Sequence, residues 1–143
     1  MTVDAPAPHV PATSFIKFGR DGAPFIEGQR CKACNTPFLE ERPACARCGS
    51  REGFTSFKAS DKGTLYTYSI VQRSFPGVPV PFVSAVVDLE DGLVLKGDLL
   101  DVPPDPAKIK FGMPVQIVFD EVSGQKSADG RPFVAYFFKP AAG

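Results

Sequence analysis

The chain has 143 residues, of which 43% are hydrophobic, and its 16 basic and 16 acidic side chains give a formal net charge of zero. Strong nucleic-acid binders need an excess of Lys and Arg to displace the counterions of the phosphates. The residues after Lys62 instead carry seven basic and nine acidic side chains, so we expect no nucleic-acid partner. No apolar run is long enough to span a membrane, so we expect no membrane partner either.

Residues 1–14 are predicted to form a proline-rich N-terminal arm that is mobile or bound to a partner, because Pro6, Pro8 and Pro11 lie there among small residues. The arm also contains His9, the one histidine of the chain, which we interpret as an incidental exposed residue. Catalytic Ser–His and Cys–His pairs need a histidine, so the rest of the chain cannot build one. The arm has no apolar segment typical of an export signal, which favours a cytoplasmic location.

The next segment is predicted to form short strands around a pair of cysteine motifs. Residues 15–18 and 24–30 are extended on either side of a turn at residues 19–22, and the second segment leads into the first cysteine. Phe54–Lys58 alternates in polarity and leads out of the second motif. We therefore assign residues 15–58 to one small module.

The four cysteines form two C-x-x-C pairs that are ten residues apart. They are Cys31, Cys34, Cys45 and Cys48. This spacing is typical of a zinc ribbon, because each turn lets two sulfurs converge on one tetrahedral ion. Asn35 and Gly49 follow the pairs and suit left-handed backbone. Four cysteines leave no coordination position open for water, so we expect structural Zn²⁺, with iron in a rubredoxin-like site as the alternative. Reduced, metal-type cysteines also favour the cytoplasm.

The remaining residues, 59–143, predict an all-β domain. A long, bent first strand is expected at residues 63–73, followed by strands at Phe82–Leu89, 93–100, 115–122 and 132–139. Asp91 and Gly92 form a hairpin turn between the second and third strands, since Asp-Gly tolerates positive φ. Prolines fall in the connections, where they remove no ladder hydrogen bonds. Five strands with a long first strand predict an OB-fold barrel.

The alternation of side chains predicts which residues of the last two strands fill the barrel. Those expected to point inward are Val115, Ile117 and Phe119 on the fourth strand and Phe133, Ala135 and Phe137 on the fifth. Tyr136 and Phe138 would then face outward, where they could contribute to a partner surface.

A zinc ribbon followed at once by a five-stranded barrel resembles the DUF35 family of acyl-CoA-associated OB-fold proteins. The resemblance is carried by the order of five segments along the chain. They are residues 25–34, which lead into the first cysteine pair, residues 43–49 around the second pair, residues 63–71, residues 81–89 and residues 112–115. The chain differs from many relatives at its N-terminus, where it has no tryptophan-containing helical segment.

The resemblance implies a non-catalytic accessory subunit. Family members look like partners of thiolase-superfamily enzymes, in which the catalytic residues lie on the thiolase-like subunit. This implies an α2β2 hetero-oligomer that binds acyl-CoA and acts in thiolytic cleavage or acyl transfer, as in β-oxidation-type degradation by enzymes such as benzoylsuccinyl-CoA thiolase. Candidate contacts to the acyl-CoA or the partner are Arg73, Phe75, Val78 and Pro79 in the loop after the first barrel strand, since OB folds commonly bind ligands with this side of the barrel.

Two other functions remain open from the residues alone. Zinc ribbons and OB folds both recur in nucleic-acid-binding proteins, but such a protein needs basic residues interleaved with aromatic stacking faces, and the predicted barrel is acidic. An independent enzyme would need a set of catalytic residues that the sequence does not offer, because Ser69, Ser74, Ser84 and Ser123 have no histidine near them in sequence.

Overall fold

The computed structural model describes residues 10–141, apart from the side chains of residues 123–125. His9 and the rest of residues 1–9 lie outside the described residues. Regular structure in the described part is entirely β-strand, and it contains no helix long and apolar enough to cross a membrane. The strands are β1 (Val10–Pro11), β2 (Ile16–Phe18), β3 (Pro24–Cys31), β4 (Pro37–Phe38), β5 (Phe54–Lys58), β6 (Lys62–Val71), β7 (Phe82–Leu89), β8 (Val94–Leu99), β9 (Pro114–Lys126) and β10 (Pro132–Pro140).

The zinc ribbon is a small antiparallel sheet built around β3. β2 pairs with the start of β3, while β4 and β5 pair with its later residues, and Cys31 stands opposite Phe54. Gly28 is required at the centre of β3, because a Cβ atom there would lie 2.5 Å from the Phe57 ring and 3.0 Å from Leu93. This close approach brings the ribbon sheet against the barrel.

The barrel closes in the order β6–β7–β8–β10–β9 and back to β6. All of these pairings are antiparallel except β8 with β10, which run parallel, as the OB-fold topology requires. The predicted five-stranded OB-fold barrel behind a zinc ribbon is thus confirmed. The turn at Asp91 is also confirmed, with Gly92 at a φ of 95°. Val10 and Pro11, which belong to the expected N-terminal arm, pair with the start of β10.

A β-bulge near the middle of β6 changes the face that each of its residues presents. Leu65 pairs with Val87 and Thr67 with Val86, so Tyr66 is the extra residue and is exposed. Inward-facing residues of all five strands form one continuous buried core. Its barrel members are Leu65, Val83, Ala85, Val87, Leu89, Leu93, Leu95, Leu99, Ile109, Val115, Ile117 and Phe138.

The predicted facing of β10 is wrong. Phe138 is fully buried and pairs with Ile117, whereas Phe133, Ala135 and Phe137 are only partly buried and lie on the opposite face. A shift of one residue moves every side chain of a strand to its other face. Because β10 has apolar residues on both faces, its sequence pattern does not indicate which face is buried. The prediction for β9 is confirmed, since Val115 and Ile117 are buried and Phe119 packs against the core.

Candidate metal centre and partner surface

The two cysteine turns face each other and bring the four sulfurs together. All four Sγ atoms lie within 4.8 Å of one another, with Cys31 and Cys48 3.7 Å apart and Cys34 and Cys45 3.6 Å apart. Tetrahedral Zn–S bonds of about 2.3 Å place sulfurs about 3.8 Å apart. The donor set and its spacing therefore fit one thiolate-bound ion.

Each turn is built by the same backbone hydrogen bonds. The N–H of Asn35 donates to the Cys31 carbonyl and that of Gly49 to the Cys45 carbonyl, both at 2.9 Å. Asn35 has a φ of 65° and Gly49 a φ of 78°, which is the left-handed backbone expected from the sequence. In the second turn, the N–H of Arg47 also lies 3.3 Å from the Cys45 sulfur. Such N–H groups stabilise a thiolate.

The thiols differ in burial and in pKa. Cys31 and Cys45 are buried, Cys34 is half-buried and Cys48 is exposed. Hydrogen bonds from the Thr36 side chain and backbone lower the pKa of Cys34 to about 6. The Cys48 backbone N–H, with a contribution from Arg47, lowers the pKa of Cys45 against the effect of burial.

The pKa of Cys48 is shifted in the opposite direction to those of Cys34 and Cys45. The backbone of Ser50 lowers its pKa, but desolvation of the sulfur and the three neighbouring thiols together raise the value to about 12. Thiols gathered this closely are the arrangement in which a divalent cation displaces protons and neutralises the negative charge of the sulfurs.

The loop after β6 presents an exposed apolar projection, which we call the Phe75 loop and define as residues 72–81. Phe75 is 82% exposed, and Val78 and Val80 are also exposed. The Val78 N–H donates to the Phe75 carbonyl at 3.1 Å, which closes a turn. Arg73 and Pro79 are exposed in the same loop. The four predicted contact residues therefore share one loop, and whether they contact a ligand stays a prediction.

A groove of about 790 Å³ separates the ribbon from the barrel. Its ribbon wall is residues 37–44, its barrel wall is residues 92–94, and Phe15 also lines it. This groove was not predicted from the sequence, and neither was the exposed Phe111, whose ring packs against Tyr68. Both depend on contacts between segments far apart in sequence, so no local pattern indicates them.

Comparisons with known proteins agree with this architecture. A family model described as "ChsH2, rubredoxin-like zinc ribbon domain" matches residues 26–53, and one described as "ChsH2, C-terminal OB-fold domain" matches residues 58–120. The "DUF35 domain-containing scaffold protein" of Methanocaldococcus jannaschii is 35% identical over 116 residues, covering 79% of this chain and 79% of that protein. This chain belongs to the DUF35 family.

Two further relatives of this DUF35 chain are parts of enzyme complexes by name. "Benzoylsuccinyl-CoA thiolase subunit BbsA" of Geobacter metallireducens is 27% identical over 122 residues, covering 85% of this chain and 78% of that protein. A solved structure titled "Ltp2-ChsH2(DUF35) aldolase" has a TM-score of 0.63 and 30% identity, covering 82% of this chain and 86% of the matched chain.

Proposed function

We propose that this DUF35 protein is a non-catalytic accessory subunit of an acyl-CoA enzyme complex whose thiolase-type partner carries the catalytic residues. The observation that carries the proposal is the similarity to proteins named as scaffolds and thiolase subunits, which covers 79% to 85% of this chain. The chain's own chemistry agrees, because its four cysteines are gathered in one cluster and its one histidine is His9. The relatives give no support to the nucleic-acid-binding alternative.

The metal part of the proposal assigns Cys31, Cys34, Cys45 and Cys48 as ligands of one structural Zn²⁺ ion. A bound ion would supply charge neutralisation and a cross-link between the two turns. The chain's residues form the cage, supply N–H groups to the Cys45 sulfur and leave no ligand position for substrate. Iron in place of zinc is the alternative that metal analysis distinguishes. Free thiols at this density also favour a reducing compartment such as the cytoplasm.

The second part of the proposal is that the Phe75 loop contacts the catalytic partner or its bound acyl-CoA. An exposed aromatic side chain is the kind of residue that dominates protein interfaces. The three prolines of the loop reduce the entropy that is lost when it becomes ordered on binding. Arg73 would offer a cation to the phosphates or to a carboxylate. The loop would thereby cover part of the CoA path and keep water from the thioester.

Co-purification of the tagged full-length protein from its native host tests the proposal. We expect mass spectrometry to identify a thiolase-superfamily protein in stoichiometric amount and metal analysis to find about one zinc per chain. Light scattering of the purified complex would measure whether it is α2β2. Recovery of nucleic acid or ribosomal proteins, or acyl-CoA turnover by the isolated chain, would contradict the accessory-subunit function.

A matched pair of variants tests the Phe75 loop separately. Phe75→Ala removes the 82% exposed ring, and Phe111→Ala removes a ring that is 71% exposed on a different loop. We expect Phe75→Ala to weaken binding of the purified partner by roughly tenfold or more, as loss of an interface anchor does, and Phe111→Ala to leave it unchanged. Equal effects of the two variants on partner binding would show that the Phe75 loop is not the specific contact to the partner.

A further inference from the structure

Arg30 lies between the first cysteine turn and the barrel and contacts both. It directly precedes Cys31 in β3. Its Nη1 donates to the carbonyl oxygen of Asn35 in the first cysteine turn at 3.2 Å, and its Nη2 donates to the carbonyl oxygen of Asp91 in the β7–β8 turn at 3.3 Å. One guanidinium thus links two turns that are 56 positions apart along the chain, and its planar fork suits this double contact.

The barrel turn that Arg30 reaches is itself fixed by the Asp91 side chain. One carboxylate oxygen of Asp91 accepts the N–H of Ser60 at 2.6 Å, and the other accepts the N–H of Leu93 at 3.2 Å. Ser60 belongs to the segment between β5 and β6 that connects the ribbon to the barrel. Asp91 therefore ties the turn to this connection through its side chain and to the ribbon through its backbone.

The surroundings of Arg30 favour a persistent contact. Its guanidinium carbon lies 4.5 Å from the centre of the Phe57 ring. That ring packs against Gly28, next to the buried Leu93. A cation over an aromatic ring gains electrostatic attraction, and partial burial strengthens the hydrogen bond to the Asp91 carbonyl. The hydrogen bond to Asp91 is partly buried and the one to Asn35 is exposed, so the Phe57 ring and the Asp91 carbonyl are the contacts that hold the side chain in place.

We infer that Arg30 is a positioning residue that couples metal loading of the ribbon to the conformation of the β7–β8 turn. The four cysteines would hold the ion and so keep the first cysteine turn in place, and the Arg30 guanidinium that donates to the Asn35 carbonyl of this turn also donates to the Asp91 carbonyl. Because Gly92 and Leu93 form the barrel wall of the groove, metal loading also sets the width of that groove. The inference rests on the metal assignment proposed above but not on the identity of the partner.

Hydrogen exchange at the turn tests the coupling in the full-length protein. Chelation of the wild-type protein should raise the exchange rate of the Ser60 and Leu93 amides by roughly tenfold. Their acceptor is the Asp91 carboxylate, and the turn that carries it would no longer be held by Arg30. In the metal-loaded Arg30→Gln variant, these amides should already exchange rapidly, and chelation should raise their exchange rate only slightly. Arg51→Gln, which removes an exposed arginine of the same ribbon, should respond as the wild type does.

Coupling must act in both directions, which provides a second measurement. Asp91→Ala disrupts the barrel end without changing a cysteine turn, and we expect it to release zinc to a chromogenic chelator several-fold faster than wild type. An exchange increase confined to residues 31–53, or Arg30→Gln and Arg51→Gln behaving alike, would overturn the coupling. A purified protein with no metal would overturn the metal assignment as well, so metal analysis of each sample separates the two failures.

Discussion

The ribbon and the barrel of this protein reach a folded state by different means. The barrel strands and their loops contribute nearly all of the continuous buried core, to which the ribbon adds Ile26 and the connection between the two adds Ala59. The ribbon buries little else apart from Ile16, Gln29 and two of its cysteines. Modules with so few buried apolar side chains need a cross-link, and metal-binding free energy serves as folding free energy in them. The difference indicates that the ribbon depends on its ion and the barrel on its packing.

The largest effect should come from the metal ligands. Cys45→Ser replaces a buried sulfur whose thiolate receives the Arg47 N–H, and a hydroxyl is a far weaker zinc ligand than a thiolate. We expect loss of the zinc and unfolding of the ribbon, with the barrel still folded. Metal analysis and amide NMR spectra measure both.

The control for this variant is Ser50→Ala, which lies on the same turn but provides no sulfur. Its backbone carbonyl still accepts the Cys45 N–H, so zinc should be retained. A Cys45→Ser protein that kept its zinc and its ordered ribbon would show that the four thiols do not form the metal site.

The next largest effect should come from the barrel core. Phe138 is fully buried between β8 and β9, so Phe138→Ala should lower the free energy of unfolding by about 3–5 kcal/mol. Urea unfolding followed by far-ultraviolet circular dichroism measures this change. Phe137→Ala is the matched control on the opposite face and should cost clearly less, whereas equal losses would contradict the facing of β10.

A smaller effect is expected from crowding at the start of β6. A Cβ atom at Gly63 would lie 2.4 Å from the carbonyl oxygen of Asp88 and 2.9 Å from Val87. Since backbone must move to admit it, Gly63→Ala should cost about 1–3 kcal/mol. Thr64→Ala, at the adjacent exposed position, should change stability by no more than about 0.5 kcal/mol. Thermal unfolding measures the stability of both variants, and equal losses would contradict crowding at Gly63.

The smallest effect concerns pH. Burial raises the pKa of Asp98 in the folded state, and Lys96 offsets part of that rise. The folded protein therefore holds this proton more tightly than the unfolded chain does, so Asp98 lowers stability progressively as pH rises from its unfolded pKa through its folded pKa. Asp98→Asn should remove this loss, and its stability relative to wild type should increase over the same interval. Urea midpoints across the acidic range measure it, and a difference independent of pH would contradict the assignment.

Local chemistry made much of the architecture predictable. Phe54–Lys58 and Phe82–Leu89 have the predicted bounds, because each run of β-branched and aromatic residues begins directly after a Gly or a Pro, which favour turns. The left-handed Asn35 was predictable because its position follows a C-x-x-C pair. The Phe75 loop was predictable from its prolines, which exclude it from a strand.

The sequence by itself determined the spacing of the four cysteines, the number of barrel strands and their succession along the chain, since these follow from residue spacing and from periodicity within a few positions. The tertiary structure alone decided the inward face of Phe138, the outward bulge at Tyr66 and the contact of Arg30 with Asp91. Each of these depends on register or on contacts between residues far apart in the chain. Such pairings are chosen by the packing of the whole core, which no local pattern contains.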